Sequence, residues 1–197
     1  MIDIDVLLAY GAVYKKVKKG EVIFAEGSTC SFYHQLVEGK VRWANIDEEG
    51  REFIQTFVEP GECFGELPLF DEGPYAATAI AEEDSILIRL HISVFHKLMA
   101  EDSKLHFAFS RLLAHRVRFK FLLLKAIAHN DPEQRISTLL NYLKKEKKNF
   151  CTKCNQLKLT RQQIADHTGL RVETTIRTLR RLSDKGMVEI INHKLYY

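Results

Sequence analysis

The stretch from Thr160 to Lys185, TRQQIADHTGLRVETTIRTLRRLSDK, constrains this chain more than any other, because its pattern reads as two short helices meeting at a tight turn. Thr160 with Gln163 three residues on is a capping box, and Ile164 and Ala165 supply a buried face for the first helix. Gly169 stands where the backbone must turn through a positive φ. The second helix is expected to dock through Val172, Ile176, Leu179 and Leu182, which recur at spacings of four and three. Its other face carries Arg171, Glu173, Thr174, Arg177, Arg180 and Arg181. Arginine takes both acceptors of guanine, glutamate accepts from the cytosine amino group, and threonine bonds phosphate or touches a thymine methyl. Such a face suits the DNA major groove; a merely solvated helix is the bland alternative. Gly186 then ends the helix, and MVEIINHKLYY alternates and turns like a β-hairpin, with Asn192 and His193 at the tip and Lys194 beside them. Together these segments predict a winged helix-turn-helix.

Charge supports that reading. The net charge of +3 hides an asymmetry: residues 129–197 hold 14 Lys and Arg against 7 Asp and Glu, whereas residues 1–128 hold 15 against 19. A basic tail joined to an acidic domain is the footprint of a nucleic-acid-binding module attached to a domain with another task. No run of 18 apolar residues and no leader pattern occurs, so a cytoplasmic protein that neither spans a membrane nor is exported is expected. Four cysteines are too few for a disulfide scaffold.

From Val13 to Leu90 the texture is β. Short runs such as FYHQLV, VRWANI, FIQTFV and SILIRL are separated by turns at Gly20, Gly27, Gly39, Gly50 and Gly61, which argues for a sandwich or barrel. Between Ser93 and His129 the period becomes helical. Leu105, Phe109, Leu112, Arg116, Phe119, Leu123 and Ala126 follow a coiled-coil seam, with Leu113, Val117, Leu124 and Ile127 as a second stripe. A helix with two apolar faces can pack on its own domain and on a second copy, so a homodimer through the first seam is expected. Asn130-Asp131-Pro132 breaks the helix, Asp131 capping the next one and Pro132 taking its first position. That next helix buries Ile136, Leu139, Leu140 and Leu143. The expected class is α+β: an N-terminal jelly-roll (double-stranded β-helix) over 1–92, a long dimerisation helix over 93–129, and a winged helix-turn-helix over 130–197.

This order of parts resembles the cyclic-AMP receptor protein/fumarate-nitrate regulator (CRP/FNR) superfamily of bacterial transcription factors. The resemblance rests on PGECFGELPLFDEG (60–73), NDPEQRI (130–136) and LTRQQIADHTGLRVETTIRTL (159–179), and it covers nearly the whole chain. It implies that Glu173 and Arg177 read bases, and that Arg161, Thr174, Arg180 and Lys194, with Arg171 beside them, hold phosphates. Val172-Glu-Thr-Thr-Ile-Arg177 is closer to the FNR-like pattern E-x-x-S-R, except that Ile176 replaces its serine and can meet only a thymine methyl. Palindromic DNA with TTGA-like or TGA-like half-sites is therefore the expected partner, along with RNA polymerase.

The sensor half departs from the family. Gly65, Glu66 and Leu67 match the cyclic-nucleotide cassette, but Ala76 and Ala77 stand where an Arg-Ser pair holds the cyclic phosphate. Lys120 and Phe121 replace the adenine-contacting pair on the long helix. A buried phosphate needs a counter-charge, so cyclic AMP and cyclic GMP are not expected to bind in the usual way, and the small-molecule effector is unknown. The pocket candidates remain Gly65, Glu66, Leu67, Ala76, Ala77, Lys120 and Phe121, with Arg42 or Arg89 as an alternative counter-charge. An iron–sulfur cluster lacks its cysteines, haem would depend on His34, His91 or His96, and no metal site is expected. Cys151 and Cys154 form a C-x-x-C pair that reads as loop thiols, a redox switch or half a zinc site. The competing readings are a signalling module whose tail binds protein, and a thiol-sensing regulator. No nucleophile beside a base, no P-loop and no histidine-rich barrel motif supports an enzyme.

Overall fold

Glycines set the turns of the N-terminal half, and runs of β-branched and aromatic residues set its strands. The computed structural model describes residues 1–151 and 153–197. After α1 (Ile4–Ala9), the strands β1 (Val13–Val17), β2 (Val22–Phe24), β3 (Phe32–Glu38), β4 (Val41–Ile46), β5 (Glu52–Val58), β6 (Cys63–Phe64), β7 (Thr78–Ala81) and β8 (Ser85–His91) form two four-stranded antiparallel sheets. Their orders are β1-β8-β3-β6 and β2-β7-β4-β5, the crossed connectivity of a jelly-roll. The sequence reading missed the two-residue β6 and the single turn of helix α2 (Pro68–Asp71), both too short to show a period. Gly39 is needed for contact as well as for its φ of 94°: a Cβ there would lie 2.2 Å from Ser85 Oγ.

The helical stretch expected over 93–129 is two helices, α3 (Ile92–Glu101) and α4 (Ser103–Ala128). Asp102 separates them in an extended conformation, and its carboxylate accepts from the backbone N–H groups of Lys104 and Leu105. Phe95 of α3 is buried against Tyr33 of β3 and Phe109 of α4, with ring centroids 5.1 and 5.5 Å away.

The remaining elements are α5 (Pro132–Lys145), β9 (Gln156–Leu157), α6 (Arg161–Thr168), α7 (Val172–Asp184), β10 (Glu189–Ile191) and β11 (Lys194–Tyr196), with the small sheet ordered β10-β11-β9. The chain packs as two units, Met1–Leu112 and Leu113–Tyr197. The division into packing units falls inside α4. The cause is local: Phe119 stacks on Tyr142 of α5 at 3.6 Å. The Arg135 guanidinium also donates to the Ile127 carbonyl at 3.2 Å and to Asn130 Oδ1 at 3.1 Å. These contacts bind the end of α4 to α5. No helix among the described residues is long and apolar enough to cross a membrane.

Candidate nucleic-acid interface

The helix-turn-helix assembles from local signals. Thr160 Oγ1 accepts from the Gln163 N–H at 3.1 Å while Gln163 Oε1 accepts from the Thr160 N–H at 3.0 Å, closing the capping box of α6. Gly169 takes φ 63° between α6 and α7. Ile164, Ala165, Leu179 and Leu182 close on Ile136, Leu139, Leu140 and Leu143 of α5, all buried. The face of α7 that docks differs from the expected stripe. Thr175 and Thr178 are buried with Leu179 and Leu182, whereas Val172 and Ile176 are half-exposed on the flank. The docking line keeps Leu179 and Leu182 but takes Thr175 and Thr178 in place of Val172 and Ile176, because α5 and α6 meet α7 there and threonine is small enough to pack at that contact.

Opposite the buried line, Arg171, Glu173, Arg177, Arg180 and Arg181 are exposed, and Thr174 and Ile176 are half-buried beside them. A shallow recess of about 470 Å³ is lined by Thr174, Arg177, Thr178, Arg180 and Arg181. Arg181 also leans toward Glu133, which takes Lys185 Nζ at 2.6 Å and ties the start of α5 to the end of α7. The wing is a two-residue hairpin with Asn192 and His193 both at positive φ, as a type I′ turn requires. Lys194 follows, exposed. Arg161 is half-buried and donates to the His193 carbonyl at 3.4 Å, joining the start of α6 to the wing tip. Nothing in the linear pattern announces this last contact.

In the roll, the cassette candidates are dispersed by burial. Gly65, Glu66 and Ala77 are buried, while Leu67 and Ala76 are exposed. A Cβ on Gly65 would lie 2.5 Å from the Phe24 ring, and Phe24 stacks on Tyr75 at 3.7 Å and on Phe64 at 5.8 Å. The roll thus fills the space beside its cassette with its own aromatic rings, and burial pushes the Tyr75 phenol up. Neither alternative counter-charge stands open. Arg42 is bonded to Glu52, at 2.8 Å from Nε, and to Glu82, and Arg89 lies 4.6 Å over the Phe32 ring. His34 is buried, and desolvation, then the charges of Arg89 and Lys15, lower its pKa to about 4. His91 is exposed with Nδ1 against Ser93 Oγ, and His96 Nε2 meets the Leu69 carbonyl at 2.8 Å, so the three histidines do not converge. Among the described residues, no three His, Cys, Asp or Glu side chains cluster as metal ligands.

Residues 14–102 match the family model of cyclic nucleotide-binding domains, and residues 134–196 match that of Crp-like helix-turn-helix domains. The chain is 29% identical over 183 residues to the cAMP-activated global transcriptional regulator CRP of Pasteurella multocida, covering 92% of this chain and 87% of that one. It is 26% identical over 191 residues to the transcriptional activator protein FnrA of Stutzerimonas stutzeri, covering 96% and 78%. The chain belongs to the CRP/FNR family of DNA-binding transcription regulators. The fold agrees. The c-di-GMP responsive global regulator CLP of Xanthomonas campestris superposes with a TM-score of 0.78 at 20% identity, over 98% of this chain and 96% of that one. The catabolite activator protein of Thermus thermophilus does so with 0.59 at 26% identity, over 98% and 88%. Its curated relatives are transcription regulators and not enzymes.

Helix α4, the family's long helix, uses its faces differently from the expectation. Of the seam assigned to a partner copy, Phe109, Phe119, Leu123 and Ala126 are buried by the chain itself, and Leu105, Leu112 and Arg116 are half-buried. The seam is occupied because the aromatic residues of the roll and Tyr142 of α5 pack on it. The exposed apolar line is another: Phe107, Val117, Phe121 and Leu124 are 64%, 52%, 67% and 60% exposed. Ser110, Ala114 and Ala128, also exposed, complete their heptad spacing. Phe121 and Lys120, expected as effector contacts, both lie on exposed positions of this helix.

Proposed function

We propose that this chain acts as a homodimeric, sequence-specific regulator that binds palindromic DNA. Regulators of this family bind DNA and act as dimers. The observation that carries the reading here is the exposed arginine-rich face of α7 standing opposite its buried Thr175-Leu179-Leu182 line. In this reading Glu173 and Arg177 take base edges and Ile176 packs on a thymine methyl, while Arg161, Arg171, Thr174, Arg180 and Lys194 bind phosphates. The half-sites are related to TTGA or TGA, about one helical turn apart. RNA polymerase is the downstream partner, and the site of action is the cytoplasm.

Two copies meet along Phe107, Val117, Phe121 and Leu124 of α4, the line that a single chain leaves in water. The roll does not bind cyclic AMP in the manner of its relatives: Ala76 and Ala77 supply no counter-charge, and the Phe24–Tyr75 stack stands beside Gly65. Any effector is then a small molecule of different chemistry.

Binding-site selection from random duplex DNA, followed by a salt titration on the winning site, tests the proposal. A palindrome with TGA-containing half-sites, bound with an affinity that falls steeply with salt, is the expected result. Sequence-blind binding under every condition would sink it.

A further inference from the structure

Cys151 and Cys154 form a motif that DNA binding leaves without a role. Between α5 and β9 the chain reverses in a loop closed at its base. Cys151 N–H donates to the Gln156 carbonyl at 2.8 Å, Lys158 N–H to the Asn149 carbonyl at 2.6 Å, and Phe150 bridges to Leu157. Asn155 N–H donates to the Cys151 carbonyl at 3.0 Å, and Asn149 and Asn155 take positive φ. This closure brings the sulfurs together. The Cys154 thiol hydrogen-bonds the Cys151 sulfur, which also accepts from the backbone N–H groups of Lys153 and Cys154, and Lys158 adds positive charge. Those contacts, the thiol hydrogen bond first, draw the Cys151 thiol below its usual pKa. Cys151 is half-exposed and Cys154 exposed, whereas Cys30 and Cys63 are buried in the roll. An accessible thiol of lowered pKa with a second thiol three residues away on the same loop is the arrangement of a reactive and a resolving cysteine.

We propose that Cys151 and Cys154 are a redox-active dithiol whose oxidation by a hydroperoxide closes an intramolecular disulfide and weakens DNA binding. The Cys151 thiolate attacks one peroxide oxygen and the O–O bond breaks, leaving a sulfenic acid on Cys151 and a hydroxide that takes up a proton as water. The Cys154 thiol loses its proton and its sulfur attacks the Cys151 sulfur; the S–O bond breaks, and the departing hydroxide leaves as a second water. Two electrons pass from the two sulfurs to hydrogen peroxide, and a dithiol reductant reverses the change.

The consequence for DNA rests on the proposed function and follows from where the loop leads. Gln156 and Leu157 pair with Tyr196 and Leu195 of β11, and the Asn155 carbonyl accepts from the Tyr197 N–H at 3.3 Å. β11 begins at Lys194, next to the His193 carbonyl that holds Arg161. Converting the Cys151 sulfur into half of a disulfide changes the contacts it makes with the N–H groups of the loop. The loop must then re-form at the strand that carries the wing.

The test uses the purified full chain, hydrogen peroxide and the DNA site that binds the reduced protein. Expected are a Cys151–Cys154 disulfide in the peptide map and DNA binding weakened about tenfold, restored by dithiothreitol. Cys154→Ser should stop at a sulfenic acid that dimedone traps on Cys151. The double variant Cys151→Ser/Cys154→Ser should keep the reduced affinity with and without peroxide. Oxidation confined to Cys30 and Cys63, a cross-link between chains, or zinc retained by the pair after purification would overturn the proposal. A mapped disulfide that leaves DNA affinity unchanged would overturn the coupling. If the reduced chain binds no DNA, the DNA-binding reading fails, while the disulfide map still decides the dithiol chemistry.

Discussion

The two packing units of this chain solve opposite problems with polar side chains. The unit Met1–Leu112 draws polar groups inward: His34, Gln35 and Glu66 are buried, His34 beside the rings of Phe24 and Phe64, and Tyr33 Oη donates to Gln35 Oε1 at 2.5 Å. The unit Leu113–Tyr197 spends its charge outward, keeping five charged side chains of α7 in solvent over a core of leucines and threonines. A ligand for the first must displace or fit between packed rings; a ligand for the second meets a prepared surface. The arginine face of α7 stands in solvent, whereas the space beside the cassette of the roll is filled by the rings of Phe24, Phe64 and Tyr75.

The largest test of this contrast removes a ring from the roll. Phe95→Ala should lower the stability of the first unit by about 3–5 kcal/mol, since the side chain is fully buried against Tyr33 and Phe109. Denaturant unfolding followed separately in the two units checks it, and an equal loss in the second unit would break the comparison. Acid should come next. His34 binds its proton only near pH 4 when folded but near 6.5 when unfolded, so its contribution is complete above pH 6.5. Between those values the unfolded state holds the extra proton, and stability falls by about 3 kcal/mol as pH drops. His34→Gln should flatten that slope; an unchanged slope would show that the imidazole is not buried neutral.

On the surface side, Arg177→Ala should cost about 1–3 kcal/mol of specific DNA binding and leave thermal stability unmoved, because the residue is exposed. A drop in melting temperature would mean that the arginine face is structural. Thr160→Ala should have the smallest effect, about 1 kcal/mol of stability from the lost cap of α6, read by chemical denaturation.

Much of the interface was legible because its signals are local. The capping box, Gly169, the Asp131-Pro132 helix start and the Asn192-His193 hairpin each act over two to four residues, and each stands where the pattern put it. Runs rich in β-branched and aromatic residues between glycine turns likewise placed the long strands of the roll, and the stripe Ile136, Leu139, Leu140 and Leu143 is buried as its period required.

Helix α4 marks the limit. Its sequence offers more than one apolar line at nearly the same spacing, and periodicity cannot rank them. The stacking of Phe119 on Tyr142 and of the roll's aromatics on Phe109 decided which line is covered, leaving Phe107, Val117, Phe121 and Leu124 outside. The same holds for Thr175 and Thr178, made core by the approach of α5 and α6 and not by their own hydrophobicity. It holds too for the Phe24–Tyr75 stack beside Gly65, whose two rings come from positions 51 residues apart. The sequence by itself determined most elements, their caps and the charge of α7, because these depend on neighbours along the chain. Tertiary structure alone decided which faces are hidden, because burial depends on which surface arrives from elsewhere in the chain.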